Sequence, residues 1–187
     1  MLNEVKRMKI VVLDIETTGW LKEGGLIVEI GALILDLNTG EQIPVYDKVI
    51  KENGFNESHK ESWIFSNSSL TWDYVNNGGL PIDIELLQDL FNQYPVTAYN
   101  KAFDLNFLRS RGFIFPVEFE CPMMVLTPIM KIPSKNGYSD FKWPSVIEAT
   151  KWLFPNKEYD EEHRGLSDAI DEAKIIKLVY DKGWFKK

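Results

Sequence analysis

Residues 9–37 read KIVVLDIETTGWLKEGGLIVEIGALILDL, and this stretch decides the fold. Lys9 to Glu16 is a short apolar run rich in β-branched residues. Leu26 to Leu37 is a second, closed by Asn38-Thr39-Gly40 before a third at Pro44 to Ile50. Runs of this length bounded by turn residues read as strands, and the tight turn joins the second and third into an antiparallel pair, giving three adjacent strands. Asp14 and Glu16 lie two positions apart on the first strand. Strand side chains alternate with period two, so both carboxylates face the same side. Hard oxygen ligands of this kind suit Mg²⁺ or Mn²⁺, and one carboxylate can bridge two ions. Taken alone, the pair is equally a solvated strand end.

Downstream, Lys51 to Asn77 is polar, and Ser66, Ser68 or Ser69 is placed to cap a short helix stopped by Gly78 and Gly79. Pro81 to Tyr94 has proline and acids at its start and apolar residues at helical spacing, which predicts an amphipathic helix. Pro95 to Tyr99 reads as a short buried strand, and Ala102 to Arg111 as a helix ended by Gly112, with Asp104 near its start. MMVLTPIMKI reads as helical and PSKNGYSDFKWP as a loop. Helices over Pro144 to Phe154 and Leu166 to Tyr180 follow, joined by the charged segment Asn156 to Arg164. Strands first, then strands alternating with helices, point to an α/β layered fold in one domain over residues 1–187.

The 187 residues are 44% hydrophobic and 26% charged, with six Trp, seven Tyr and eleven Phe, so there is ample apolar surface for one core and intrinsic disorder is excluded. No apolar run is long enough to span a bilayer and the start lacks a cleavable signal, which predicts a soluble cytoplasmic protein with no membrane partner. The single Cys121 can form no internal disulfide and reads as a packed apolar residue. A net charge of −7 argues against a protein that tracks long stretches of phosphate backbone. It argues less against an enzyme that grips only a strand end, because bound divalent ions bring positive charge and their ligands make the free chain acidic.

Two further segments carry chemistry. Ala98-Tyr99-Asn100-Lys101-Ala102-Phe103-Asp104 sets an acid four residues after a strand end, and His163-Arg164-Gly165-Leu166-Ser167-Asp168-Ala169 places a histidine just before a helix and an acid within it. Singly, Asp104 is a first-turn acid favoured by the helix dipole, and His163 and Asp168 are ordinary surface residues. In conjunction, DIETTG, NKAFD and HRGLSDA, in this order, resemble the three exonuclease segments of the DnaQ-like DEDDh superfamily, which includes proofreading subunits, oligoribonuclease and ribonuclease T. Val28-Glu29-Ile30-Gly31-Ala32 resembles the family's second strand, and His163-x4-Asp168 matches its His subgroup. The resemblance runs from about Lys9 to Tyr180.

It implies a ribonuclease H-like fold, a central mixed five-stranded sheet of three antiparallel strands and then parallel strands, flanked by helices. It also implies a 3′-to-5′ exonuclease that releases nucleoside 5′-monophosphates from single-stranded DNA or RNA with two divalent ions, Mg²⁺ or Mn²⁺. Asp14, Glu16 and Asp168 would hold one ion, Asp14 would bridge to the second, and Asp104 would support that one partly through water. One ion would activate the attacking water and the other stabilise the leaving 3′ oxygen. His163 would be the general base, suited by an imidazole that titrates near neutrality. The backbone of Thr17 and Thr18 would meet the terminal 3′-hydroxyl, and Asn100 and Phe103 would line the nucleotide pocket.

Other residues carry weaker signals. His59 reads as a solvated loop histidine, and Trp63, Phe65, Trp72 and Tyr74 form either a base-stacking platform or packing. Lys101, Arg109, Arg111, Lys131, Lys135, Lys142 and Arg164 are scattered cations, of which Arg164, beside His163, is best placed to reach a phosphate. Lys51 to Gly79 does not align with the family, and Cys121-Pro122 stands where Asp-Thr is often found. No polymerase-binding tail is evident, so a free-standing enzyme is expected, and a homodimer is compatible with the pattern. The rivals are a binding module that keeps the fold without the chemistry, which the retention of all five residues disfavours, and an endonuclease or integrase on the same fold, whose acids are arranged differently.

Overall fold

The computed structural model describes residues 9–135, 140–156 and 158–185. Strands β1 (Lys9–Thr17), β2 (Ile27–Asp36) and β3 (Gln42–Val49) form the expected antiparallel meander. β4 (Val96–Thr97) adds parallel to β1, giving the order β3-β2-β1-β4. β1 and β2 are apolar at nearly every position because the sheet is covered on both faces. On one face Ile10, Val12, Leu33 and Leu35 meet the final helix, and on the other Val11, Leu13, Ile15 and Ala32 pack with Leu87, Phe91 and Leu105. β3 is the edge strand, and there Pro44 sits where the register shifts between Ala32 and Leu33, a position that needs no ladder donor.

The five-stranded sheet expected from the resemblance is a four-stranded one among the described residues. What would be the fifth strand is a single parallel bridge of Val96 to Glu118, held by Val96 N–H to Val117 O at 3.1 Å and Phe119 N–H to Val96 O at 2.9 Å. Pro116 and Pro122 bracket this segment and bring no N–H to extend a ladder. β4 is shorter than Pro95 to Tyr99 because carboxylates take over the donors that would continue it. The Ile15 N–H goes to Asp104 Oδ1 at 3.2 Å, and the Tyr99 N–H to Glu172 Oε2 at 3.1 Å.

Helices α1 (Trp63–Asn67) and α2 (Trp72–Gly78) occupy the polar stretch. The cap of α2 is Thr71, which accepts from the Tyr74 N–H, and not one of the three serines; Ser68 spends its hydroxyl on the Ile64 carbonyl. Gly78 and Gly79 end α2 as expected. α3 (Ile84–Gln93) starts later than Pro81 because Asp83 caps it, accepting from the Leu86 N–H. α4 (Lys101–Ser110), α5 (Pro122–Met130), α6 (Val146–Leu153) and α7 (Gly165–Asp181) match the predicted helices within a few residues. Ser145 and Glu148 close a capping box on α6. Part of the PSKNGYSDFKWP loop and Lys157 of the charged segment lie outside the described residues. No helix among the described residues is long and apolar enough to cross a membrane.

α7 is the element that completes the site. It lies across β1 and β2, burying Ala169, Ala173, Ile176 and Val179. Its first turn crosses β2 glycine on glycine: a Cβ at Gly31 would lie 2.0 Å from the Leu166 N, and one at Gly165 would lie 2.7 Å from the Gly31 N. Only two residues without side chains permit this approach.

Candidate active site

Asp14 and Glu16 sit at the end of β1, on the face that carries Ile10 and Val12 and that α7 covers. The glycine contact brings the start of α7 over this strand end, and with it Asp168, 3% exposed. The Asp168 carboxylate accepts from the Arg164 N–H at 3.0 Å, which fixes it against the residue that precedes the helix. Asp104, also 3% exposed, enters from the first turn of α4 and is tied to β1 through the Ile15 N–H. His163 lies in the left-handed region at φ 53°. Glu16, His163 and Asp168 each offer a ligand atom, and these lie within 4.8 Å of one another. Asp14 interacts electrostatically with Glu16, Asp104 and Asp168, so the four predicted acids and the histidine converge from β1, α4 and the start of α7.

Two acids that the sequence patterns did not single out belong to the same neighbourhood. Glu172, 3% exposed, follows Asp168 by one helical turn and holds the Tyr99 N–H. The i, i+4 spacing of Asp168 and Glu172 is the signal that was available, since it puts both on one face of α7. Glu161, in the loop before His163, interacts with Glu16 and His163.

Burial and mutual repulsion push these carboxyls upward. Desolvation, then Glu172 and Glu16, raise Asp14 well above its ordinary range. Desolvation followed by Asp168 and Glu29 raises Glu16 to about 9. Asp104 and Asp168 rise to about 7, in each case because desolvation outweighs the backbone hydrogen bonds they accept. Glu172 is raised by burial and by Asp104. Among the described residues no lysine or arginine forms an ion pair with any of these five. Buried like charges without a cation are unfavourable, and an all-oxygen cluster fits a hard divalent ion.

This arrangement has a measurable consequence. A carboxyl whose folded pKa exceeds its unfolded value of about 4 stabilises the fold below that value, and the contribution is lost as pH rises through the folded pKa. With folded values of about 7 for Asp104 and Asp168 and about 9 for Glu16, the loss falls between weakly acid and weakly alkaline pH. In EDTA, Tm is expected to fall from about pH 5 to about pH 9, and Mn²⁺ to raise it by increments that grow with pH, because binding displaces protons. A pH-independent Mn²⁺ increment in scanning calorimetry would contradict this account of the cluster.

A cleft of about 490 Å³ opens beside the acids, lined by Ile15, Glu16, Thr17, Thr18, Gly19, Trp20, Trp63 and Phe103. Trp20 and Trp63 are each 59% exposed. Trp20 meets Phe103 edge to face at 5.7 Å, and Trp63 meets the His163 ring at 4.7 Å. Thr18 uses its N–H on the Leu26 carbonyl and its hydroxyl on the Leu26 N–H, so it shapes the wall. Asn100 is exposed ahead of α4 and lies outside the cleft wall. Of the aromatics in the polar stretch, Trp63 alone lines the cleft. Phe65 and Trp72 pack on Phe55, and Tyr74 is exposed on α2. His59 stacks on Phe55 at 5.5 Å, and Cys121 packs against the main core. Several of the scattered cations are committed to ion pairs: Lys101 and Arg109 to Glu118, Arg111 to Glu52, Lys142 to Glu148 and Arg164 to Glu29.

The fold is that of structurally characterised 3′-exonucleases. The nuclease domain of 3′hExo, a DEDDh family member bound to rAMP, superposes with a TM-score of 0.67 at 14% identity over 96% of both chains. A full-length 3′-exonuclease gives 0.66 at 15% identity over 97% of this chain and 63% of that one. Cell-death related nuclease 4 (CRN-4) gives 0.65 at 10% identity over 94% of this chain and 64% of that one. Residues 11–176 match the RNase T exonuclease family, and the chain belongs to it. The PolC-type DNA polymerase III of Clostridium perfringens (strain 13 / Type A) is 29% identical over 175 residues, a match that covers 92% of this chain and 11% of the polymerase.

Proposed function

We propose that the chain is a single-domain, divalent-metal-dependent 3′-to-5′ exonuclease that removes nucleotides one at a time from free 3′ ends of single-stranded DNA or RNA, releasing nucleoside 5′-monophosphates. The observation that carries this reading is the convergence of Asp14, Glu16, Asp104, Asp168 and His163 beside a cleft walled by Trp20, Trp63 and Phe103. Asp14, Glu16, Asp168 and Asp104 would hold Mg²⁺ or Mn²⁺ ions, which would supply Lewis acidity and water activation when bound. His163 takes the proton from the attacking water, its imidazole lying within 4.8 Å of carboxylate oxygens of Glu16 and Asp168. The terminal base stacks among the cleft aromatics, a contact open to any base. Thr17 meets the terminal sugar through its backbone, and Asn100 contributes from the exposed start of α4. A monophosphate product is in keeping with the rAMP held by the 3′hExo nuclease domain.

The test uses 5′-labelled oligonucleotides of DNA and RNA with Mn²⁺ or Mg²⁺. The expected result is a ladder that shortens from a free 3′-hydroxyl, monophosphate release, silence in EDTA and silence on a 3′-blocked oligomer. His163→Ala is expected to slow release by about 10²- to 10⁴-fold. Cleavage of the blocked oligomer, or full activity of His163→Ala, would count against the proposal.

A further inference from the structure

We infer that Glu29 and Arg164 form a latch that positions His163, and that Arg164 acts on the protein and not on a phosphate. The inference rests on the reading of His163 as the general base. Arg164 directly follows His163, and each of its three guanidinium nitrogens already has a partner within the protein. Its Nε lies 3.0 Å from both Glu29 oxygens, one terminal nitrogen lies 2.7 Å from Glu29 Oε1, and the other lies 2.9 Å from Ser69 Oγ. Glu29 is 1% exposed and also accepts the Gly165 N–H at 3.0 Å, while the Arg164 N–H holds Asp168. One arginine thus ties the His163 loop to β2, to the segment before α2 and to a predicted metal ligand.

Residue 163 needs such a hold. A non-glycine residue at φ 53° persists only where its surroundings over-determine it. The latch fixes the backbone after His163, and Trp63 presses on its ring at 4.7 Å. The apolar face of α7, the Gly31–Gly165 contact and the Gly165 N–H to Glu29 seat the helix on the sheet without the Arg164 side chain. What the ion pair adds falls on the residues that flank the histidine. The bidentate geometry demands a guanidinium, which a lysine ammonium cannot reproduce.

The experiment compares Arg164→Lys, Glu29→Gln, the double variant and His163→Ala on a 3′-hydroxyl oligonucleotide over a range of KCl, with Mn²⁺ affinity by calorimetry. Each latch variant is expected to lose about 10- to 100-fold in kcat, the scale of a small misplacement of a reacting group. KM, Mn²⁺ affinity and the salt slope are expected to hold within about threefold, with the double variant no worse than the worse single. A raised KM with a salt slope reduced by about one would make Arg164 a phosphate ligand and overturn the inference. Wild-type kcat in Arg164→Lys, or losses that multiply in the double variant, would also overturn it. Should Glu29→Gln fail to fold, Arg164→Lys carries the same discrimination, its side chain being 30% exposed. A fully active His163→Ala would sink the general-base reading, whereas a dead His163→Ala beside an unchanged Arg164→Lys would sink the latch alone.

Discussion

Asp14→Asn is expected to reduce nucleotide release by at least about 10³-fold, which corresponds to about 4 kcal/mol of lost transition-state stabilisation, while leaving the metal-free protein as stable as its parent or more so. The two effects have one cause. Asp14 is buried and Glu172, Glu16, Asp104 and Asp168 all press on it, so its charge is unfavourable in the cluster without cations and useful with them. Asparagine keeps the shape and removes the charge. In EDTA at about pH 8 the variant should melt no lower than the parent, and the Mn²⁺-dependent rise in Tm should shrink or vanish. Activity within tenfold of the parent, or a retained Mn²⁺ response, would remove Asp14 from the centre of the site.

Gly31→Ala is expected to be nearly as damaging to activity without touching a carboxylate. Its Cβ would stand 2.0 Å from the Leu166 N, 2.1 Å from the Gly165 carbonyl carbon and 2.4 Å from the Leu166 Cα, all of them main-chain atoms that cannot swing aside. The start of α7 must then move by more than an ångström. Overpacking of this kind costs about 1–3 kcal/mol of stability, and a shift of about 1 Å in a reacting group is worth about 10²-fold in rate. Asp168 and His163 move together, so Mn²⁺ affinity and kcat should fall in parallel. An alanine variant with parental Tm and kcat would show that the approach is not needed.

The strands and the acids were legible in the sequence because both are written in short-range pattern: β-branched runs closed by turn residues, and carboxylates at fixed spacing. Helix α7 was visible for the same reason. Glu172 was not singled out, because its spacing from Asp168 marks a shared helix face but not that this face lies under a strand end, where the carboxylate holds the Tyr99 N–H. The ion pairs of the scattered cations were hidden for the complementary reason: Arg164 stands beside His163 in sequence, and only the folded chain brings Glu29 to it from β2. The missing strand traces to Pro116 and Pro122, whose effect on a ladder depends on which neighbour each would have faced. Trp63 was weighed among four aromatics, and packing on Phe55 separates Phe65 and Trp72 from the one that faces the cleft.

The glycine contact between β2 and the last helix also sets when, during synthesis, the acids first stand together. Asp14 and Glu16 are synthesised before His163 and Asp168, with about 150 residues between the two pairs. Until Gly165 settles on Gly31, the first two acids face no partner helix. A chain that lacks the final helix lacks Asp168 and the seat that Gly165 finds on Gly31, so the complete cluster is a property only of the finished tertiary structure.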